Sequence, residues 1–287
     1  MKASITRTIS NANINQTGQS APPFGDAPFD GQILNPHVEQ FASFFFAGEL
    51  VKIVQKNGAW WPSKHAQTIG NALAQHRHVV CGKQVFDLAT GLGVLGILAK
   101  KLGARHVDAS EYKQEFLDAA KFNANLNGVD FRDMFLEDWL NFSPKTLYDL
   151  MIANPPFFDV TDPNRRTYID QTIRNAPRFL RTGGELLLIH SSMAGFAETE
   201  QQLDDAGFHF EIIASDRGLF REAYFSSEAG FIEYCRRHKG FDLVDDLPIE
   251  ELRVYLCTLT ALAKISHEPS GSAPVATSVE ELMFVTA

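Results

Sequence analysis

The run Tyr148-Asp149-Leu150-Met151-Ile152-Ala153 is short, largely apolar and closed by Asn154-Pro155-Pro156-Phe157. Such a run predicts a buried parallel strand that stops abruptly. Neither proline carries the N–H that a central strand needs, so the backbone must leave the sheet at the strand's carboxyl end. In open α/β sheets that edge is where ligands bind. The Asn154 side chain and the freed carbonyls, that of Pro155 among them, would face a ligand there, with Phe157 and Phe158 beside them. Hydrogen-bond acceptors next to an aromatic wall suit an N–H-bearing, flat or cationic group. Taken alone, the four residues read equally well as a strand-ending turn, because Asn and Pro are common turn formers. What lies upstream shifts the balance.

Gln84-Val85-Phe86-Asp87-Leu88 reads as a strand, Ala89 to Gly96 as a glycine-rich turn, and Val94 to Leu102 as a helix. Glycines let the chain turn tightly and let backbone approach a ligand closely. Arg105 to Ala109 predicts a second strand ending at Ser110-Glu111, which places Glu111 at the spacing where an acid accepts both hydroxyls of a ribose. Gly91, Gly93 and Gly96 also match a dinucleotide-binding fingerprint literally, so a nicotinamide enzyme stays open at this point. A helix from Gln114 to Asn127 and a short strand within Asp130–Phe135 follow. Asp138 would stand at that strand's tip, suited to accept from an exocyclic amine, with Trp139 able to lie on a purine face. After the Asn154 strand come a helix from Tyr168 to Leu180, a turn at Gly183-Gly184, a strand over Glu185–Ile189, a helix over Phe196–Ala206, and strands over Phe208–Ala214 and Leu252–Leu259. His190-Ser191-Ser192 falls on the ligand edge. Strand and helix alternating in this way predict an α/β fold with a doubly wound, mostly parallel sheet.

The flanks differ in composition. Residues 1–35 are polar and read as a flexible or lightly docked arm, and residues 266–287 as a flexible tail. Residues 36–57 predict an N-terminal helical extension opened by Pro36, with Val38, Phe41, Phe45, Val51 and Val54 as an irregular apolar face, serving for packing or as a lid. The main domain occupies residues 58–265. Trp60 and Trp61 precede a helix from Lys64 to Gln75 and could wall a pocket or join the core, and His65 reads as a packed or surface histidine. A net charge of −9 argues against a large nucleic-acid footprint. Three scattered cysteines suggest neither a disulfide framework nor a zinc site, which makes a reducing cytoplasm the expected setting. No apolar stretch approaches bilayer length and the N-terminus lacks the apolar core of a secretory signal, so no membrane partner is expected.

Together these residues resemble the class I S-adenosylmethionine-dependent methyltransferases over about residues 58–260, and Asn154-Pro155-Pro156-Phe157 is similar to the motif of their amino-methylating branch. The resemblance implies a seven-stranded Rossmann-like sheet and S-adenosylmethionine as cofactor, with no metal. Asp87, Ala89 and Gly91, with Thr90 and Gly93 in the same turn, are implied to support the methionine part of the cofactor. Glu111 is implied to hold the ribose, with Tyr112 beside it, and Asp138 and Trp139 the adenine. Asn154 and Pro155 are implied to hold the acceptor nitrogen and Phe157 to stack on it, with Trp61, Phe158 and His190 also toward the substrate. Ala89 departs from the glycine that many members of the class have. The nicotinamide reading loses ground, since it explains neither Asp138 nor the Asn-Pro-Pro-Phe stretch.

The expected acceptor is a nitrogen of a small molecule or peptide, favoured by the acidic charge and the aromatic-rich segment before the main domain. RNA, DNA or a protein glutamine is the alternative, for which Arg165, Arg166, Arg174, Arg178 and Arg181 offer a basic patch that more often is a solvated helix face. A non-catalytic partner subunit that keeps the fold is the third.

Overall fold

The computed structural model describes residues 6–7, 40–55, 62–137, 142–155, 166–219, 242–244 and 247–260. In chain order the strands are β1 Thr6–Arg7, β2 Gln40–Phe46, β3 Glu49–Gln55, β4 Gln84–Leu88, β5 His106–Glu111, β6 Asp133–Leu136, β7 Tyr148–Ala153, β8 Leu180–Ser191, β9 Phe208–Leu219, β10 Asp242–Val244 and β11 Leu247–Leu259. The helices are α1 Lys64–Gln75, α2 Val94–Lys101, α3 Gln114–Leu126, α4 Thr167–Asn175 and α5 Phe196–Asp205.

The main sheet runs β6-β5-β4-β7-β8-β11-β9, with β10 paired to the start of β11. The five strands from β6 to β8 are parallel, while β11 runs antiparallel to both β8 and β9. This is the doubly wound, mostly parallel, seven-stranded Rossmann-like sheet expected from the residues. Strand order reverses between β4 and β7, so the crevice for a ligand opens at their carboxyl ends. Side chains alternate strictly between two buried layers. Val85, Val107, Leu150, Ile152, Leu187, Ile189 and Val254 face α1, α2 and α3. Phe86, Leu88, Met151, Ala153, Leu186, Leu188 and Tyr255 face α4 and α5. This two-sided burial is why the strands read as near-continuous apolar runs.

Strand limits differ from expectation where antiparallel pairing extends them. β9 continues to Leu219 and β11 begins at Leu247, because the two pair beyond the parallel strands as far as Leu219 opposite Ile249. β8 begins at Leu180 rather than Glu185. Leu180 pairs with Tyr148 and Glu185 with Leu150, so Arg181 to Gly184 bulge opposite Asp149, whose carboxylate pairs with Arg181. Gly184 is required there, since a Cβ would stand 2.8 Å from the Arg181 carbonyl oxygen.

The helix expected over residues 36–57 is instead a β-hairpin of β2 and β3. Ala42, Phe44 and Phe46 alternate inward, as do Val51 and Ile53, a period of two rather than 3.6. Ala47 (φ 45°) and Gly48 (φ 106°) form a two-residue turn with positive φ at both positions, which suits the twist of a hairpin. The hairpin joins the main core on the α1–α3 side. Gly70 in α1 leaves the room that the Phe46 ring fills.

Two asparagines one turn apart on α3 satisfy the free edge of β3. Asn127 accepts from the Lys52 N–H (2.9 Å) and donates to the Lys52 carbonyl. Asn123, fully buried, accepts from the Val54 N–H (2.8 Å) and donates to the Val54 carbonyl (3.2 Å) and to the Leu92 carbonyl in the glycine-rich turn (3.1 Å). A primary amide thus stands in for the next strand. Asn123→Ala orphans buried backbone groups and is expected to cost about 3 kcal/mol, at a cost per orphaned group of roughly 1–3 kcal/mol. Urea denaturation checks this, with the half-buried Asn127→Ala losing less; equal losses would show that full burial of the amide is not what matters.

Candidate active site

Asp87, one residue before the end of β4, is buried. Its Oδ2 accepts from the Thr90 hydroxyl (2.5 Å) and from the Gly96 N–H (2.9 Å). The carboxylate therefore closes the turn on itself and draws the first turn of α2 onto the strand. Gly96 makes the approach possible, since a Cβ would stand 2.9 Å from Asp87 Oδ2 and against the Phe131 ring. The third glycine of the literal fingerprint thus serves packing against a carboxylate. Gly91 (φ 54°) and Gly93 (φ 84°) take the left-handed conformations the turn requires. Ala89 adopts φ 51°, which for a residue with a Cβ costs about 1 kcal/mol. That conformation explains the glycine found at this position in many class I methyltransferases.

Glu111 ends β5, buried beside the same turn. Its carboxylate accepts from the Gly91 N–H (3.0 Å) and from the Tyr112 N–H (2.9 Å), with the Lys113 N–H at 3.4 Å. Burial raises its pKa above the ordinary carboxylate value, opposed by these donors. Of about four acceptor positions on a carboxylate, the backbone leaves room for a further donor. The Thr90 N–H donates to the Ser110 carbonyl (2.9 Å), stitching the turn to β5.

Register brings the third element to the same place. Leu88 of β4 pairs with Ala153 of β7, so Asn154 leaves its strand alongside Ala89. Asn154 is half-buried and Pro155 buried. Asp87, Ala89, Thr90, Gly91, Gly93, Glu111, Tyr112, Asn154 and Pro155 therefore gather at one sheet edge around the switch point. Asp138, Trp139, Trp61, Phe157 and Phe158 lie outside the described residues, although Leu136 pairs with Glu111 and so brings the chain to this edge just before Asp138.

His190 is fully buried near the end of β8, its ring edge-on to Phe196 at 6.1 Å between centroids. Among the described residues neither ring nitrogen has a well-formed hydrogen bond. Burial, reinforced by Arg166, lowers its pKa to about 3, so the ring is neutral at all physiological pH values. One residue on and on the opposite face of the sheet, the Ser191 hydroxyl donates to Glu250 Oε1 (2.6 Å), and His65 Nε2 lies 3.5 Å from the same oxygen. Glu250 went unnoticed in the sequence because it sits in a strand between Ile249 and Glu251, where period-two patterning hides a buried acid.

Three of the arginines offered as a basic patch have acceptors within the fold. Arg166 is buried and donates to the carbonyls of Ala194 and Gly195 and to Thr199 (3.0 Å). Arg178 donates to Asn175 (2.9 Å) and Ser143 (2.8 Å). Arg181 pairs with Asp149 beside the amino end of β7. Of those described, Arg174 and Arg181 are exposed.

The Asp87 carboxyl has its pKa pushed up to about 7, first by burial and less by Glu111, against the Thr90 and Gly96 bonds. A carboxyl whose pKa is higher folded than unfolded binds more protons when folded, so its contribution to stability is lost as pH rises from about 4 to 7. Urea denaturation from pH 5 to 8 should show that decline at up to about 1.4 kcal/mol per pH unit. Asp87→Asn keeps an acceptor for both donors and should remove the slope; an unchanged slope would assign it to other groups.

Residues 52–219 match the model of the methyltransferase small domain family, well over half the chain. Among curated proteins, one provisionally named protein N5-glutamine methyltransferase from Methanocaldococcus jannaschii is 27% identical over 158 residues, 50% of this chain and 79% of that protein. Ribosomal protein L11 methyltransferase of Lactobacillus johnsonii is 34% identical over 119 residues, 42% of this chain but only 37% of that protein. The chain thus spans most of the first relative and little more than a third of the second. A 16S rRNA N2 methyltransferase of Thermus thermophilus, solved with AdoMet and guanosine, shares the fold with a TM-score of 0.54 at 16% identity, over 78% of this chain and 51% of that one. The residues present fit S-adenosylmethionine. Among the described residues nothing lies within 4 Å of where a Cβ on Gly91 would stand, so the turn is open at Gly91, and Glu111 keeps acceptor capacity for hydroxyls beside it. The chain belongs to the methyltransferase small domain family and is an S-adenosylmethionine-dependent methyltransferase.

Proposed function

We propose that this enzyme methylates a nitrogen atom held at Asn154 and Pro155, on a small molecule or a peptide. The observation that carries this reading is the register of β4 with β7, which sets Asn154 beside the turn at Ala89. Bound S-adenosylmethionine supplies an electrophilic methyl group on a sulfonium. The chain's part is to bring a lone pair in line with that methyl. The Asn154 side-chain oxygen and the Pro155 carbonyl accept N–H bonds from the acceptor, which turns its lone pair forward. The same oxygens stabilise positive charge growing on that nitrogen. No strong base is needed, since the proton leaves after transfer, and His190 at its low pKa is not one.

The acidic net charge and the internal pairing of Arg166, Arg178 and Arg181 favour a small or peptide acceptor over nucleic acid. A protein glutamine amide is the second reading, favoured by the name of the Methanocaldococcus relative. A non-catalytic subunit is the third, and methyl transfer by the isolated chain excludes it.

Labelled methyl should pass from S-adenosylmethionine into the metabolite or peptide fraction of a cell extract rather than into RNA or DNA. Asn154→Ala should lower that transfer about 100-fold, the loss typical of one oriented polar group, with S-adenosylhomocysteine binding largely kept. Unchanged transfer would sink the assignment of Asn154. Glu111→Ala should weaken S-adenosylhomocysteine binding about tenfold or more, as expected for hydrogen bonds to a charged group, and calorimetry giving an unaltered dissociation constant would place the ribose elsewhere.

A further inference from the structure

Among the described residues, one buried carboxylate beyond the end of the parallel strands has no lysine or arginine on it. Glu250 is 6% exposed. Among the described residues its side chain meets only the Ser191 hydroxyl (2.6 Å) and His65 Nε2 (3.5 Å). Burial lowers the His65 pKa more than Glu250 raises it, which keeps the imidazole neutral. Lys64, next to His65 in sequence, is engaged elsewhere: its Nζ pairs with Asp216 at 3.5 Å, and Thr68 also reaches that carboxylate. A buried carboxylate whose partners are both neutral is costly unless a cation completes it.

The position is that of an acceptor, not of the cofactor. Leu188 of β8 pairs with Ala153, the residue before Asn154, and Ser191 lies three residues further along β8. That separation is about 10 Å, within reach of one amine-bearing molecule that also touches Asn154. Glu250 and His65 keep 8% and 13% of their side-chain surface open, enough to meet a ligand group while excluding bulk water.

We propose that Glu250, with Ser191 and His65, forms a subsite for an ammonium or guanidinium group at the carboxyl edge of β8. The group belongs to the methyl acceptor, which is therefore a cationic amine or a basic peptide, and its reacting nitrogen sits about 10 Å away. Only that attribution rests on the nitrogen-directed reading; the subsite itself stands on Glu250. A phosphate-bearing acceptor is repelled here.

The test uses the full chain saturated with S-adenosylhomocysteine and titrated with lysine amide, followed through the ring signals of His65 by NMR. Saturable binding is expected, with inorganic phosphate giving none. Glu250→Gln should weaken lysine amide about tenfold or more, the usual loss for a charged hydrogen-bond partner, while S-adenosylhomocysteine affinity holds. His65→Lys is read by calorimetry and covers the case in which Glu250→Gln fails to fold: its tethered ammonium should fill the subsite and abolish lysine amide binding. No saturable binding by the natural chain, or equal binding by the variants, overturns the proposal. Asn154→Ala separates the two readings, because it should keep lysine amide binding whether or not it loses methyl transfer.

Discussion

Everything at the site depends on one buried carboxylate being held at the end of a strand. Asp87 gathers the Thr90 hydroxyl and the Gly96 N–H, so the chain turns back into α2 within a few residues of leaving β4. That turn must present backbone to open space, and it does so because its own donors are spent inward on Asp87 and Ser110. Glu111 then reaches in from the next strand to the Gly91 N–H. Two acids and a set of left-handed residues thus make a rigid lip, assembled where the strand order reverses.

The edge divides in two. Over β4 and β5 the acids serve the backbone of the turn and leave capacity for hydroxyls. Over β8 and β11 Glu250 leans on neutral partners. Asn154 lies between, neither charged nor deeply buried. Such a division suits the proposed reaction, in which a cationic methyl donor and a nitrogen acceptor meet at one point.

Much of this was legible before any coordinates. Two prolines after an apolar run can only end a central strand, and a glycine-rich turn between strand and helix can only sit at a carboxyl edge. Those local rules placed Asp87, Gly91, Glu111 and Asn154 correctly at the sheet edge. The hairpin was missed because Phe44, Phe45 and Phe46 look equally apolar, so neither the period of two nor the Ala47-Gly48 turn stood out. The arginines after β7 carry no such local rule: Arg166 is buried on α5 partners while Arg174 and Arg181 stay exposed, which nothing in their spacing distinguishes. Glu250 and Asn123 carry no local signal at all, since their partners lie 59 and 69 residues away.

Asn123 has a bearing on how the chain is made. The hairpin is synthesised early, but the amide that receives its free edge arrives only with α3, and Leu92 arrives in between. A lone two-stranded hairpin is marginal in water, and chains emerge amino end first. Until α3 leaves the ribosome, β3 therefore presents an unpaired edge. The nascent chain is most open to mispairing during that interval, and it closes when one side chain joins hairpin, helix and cofactor turn together.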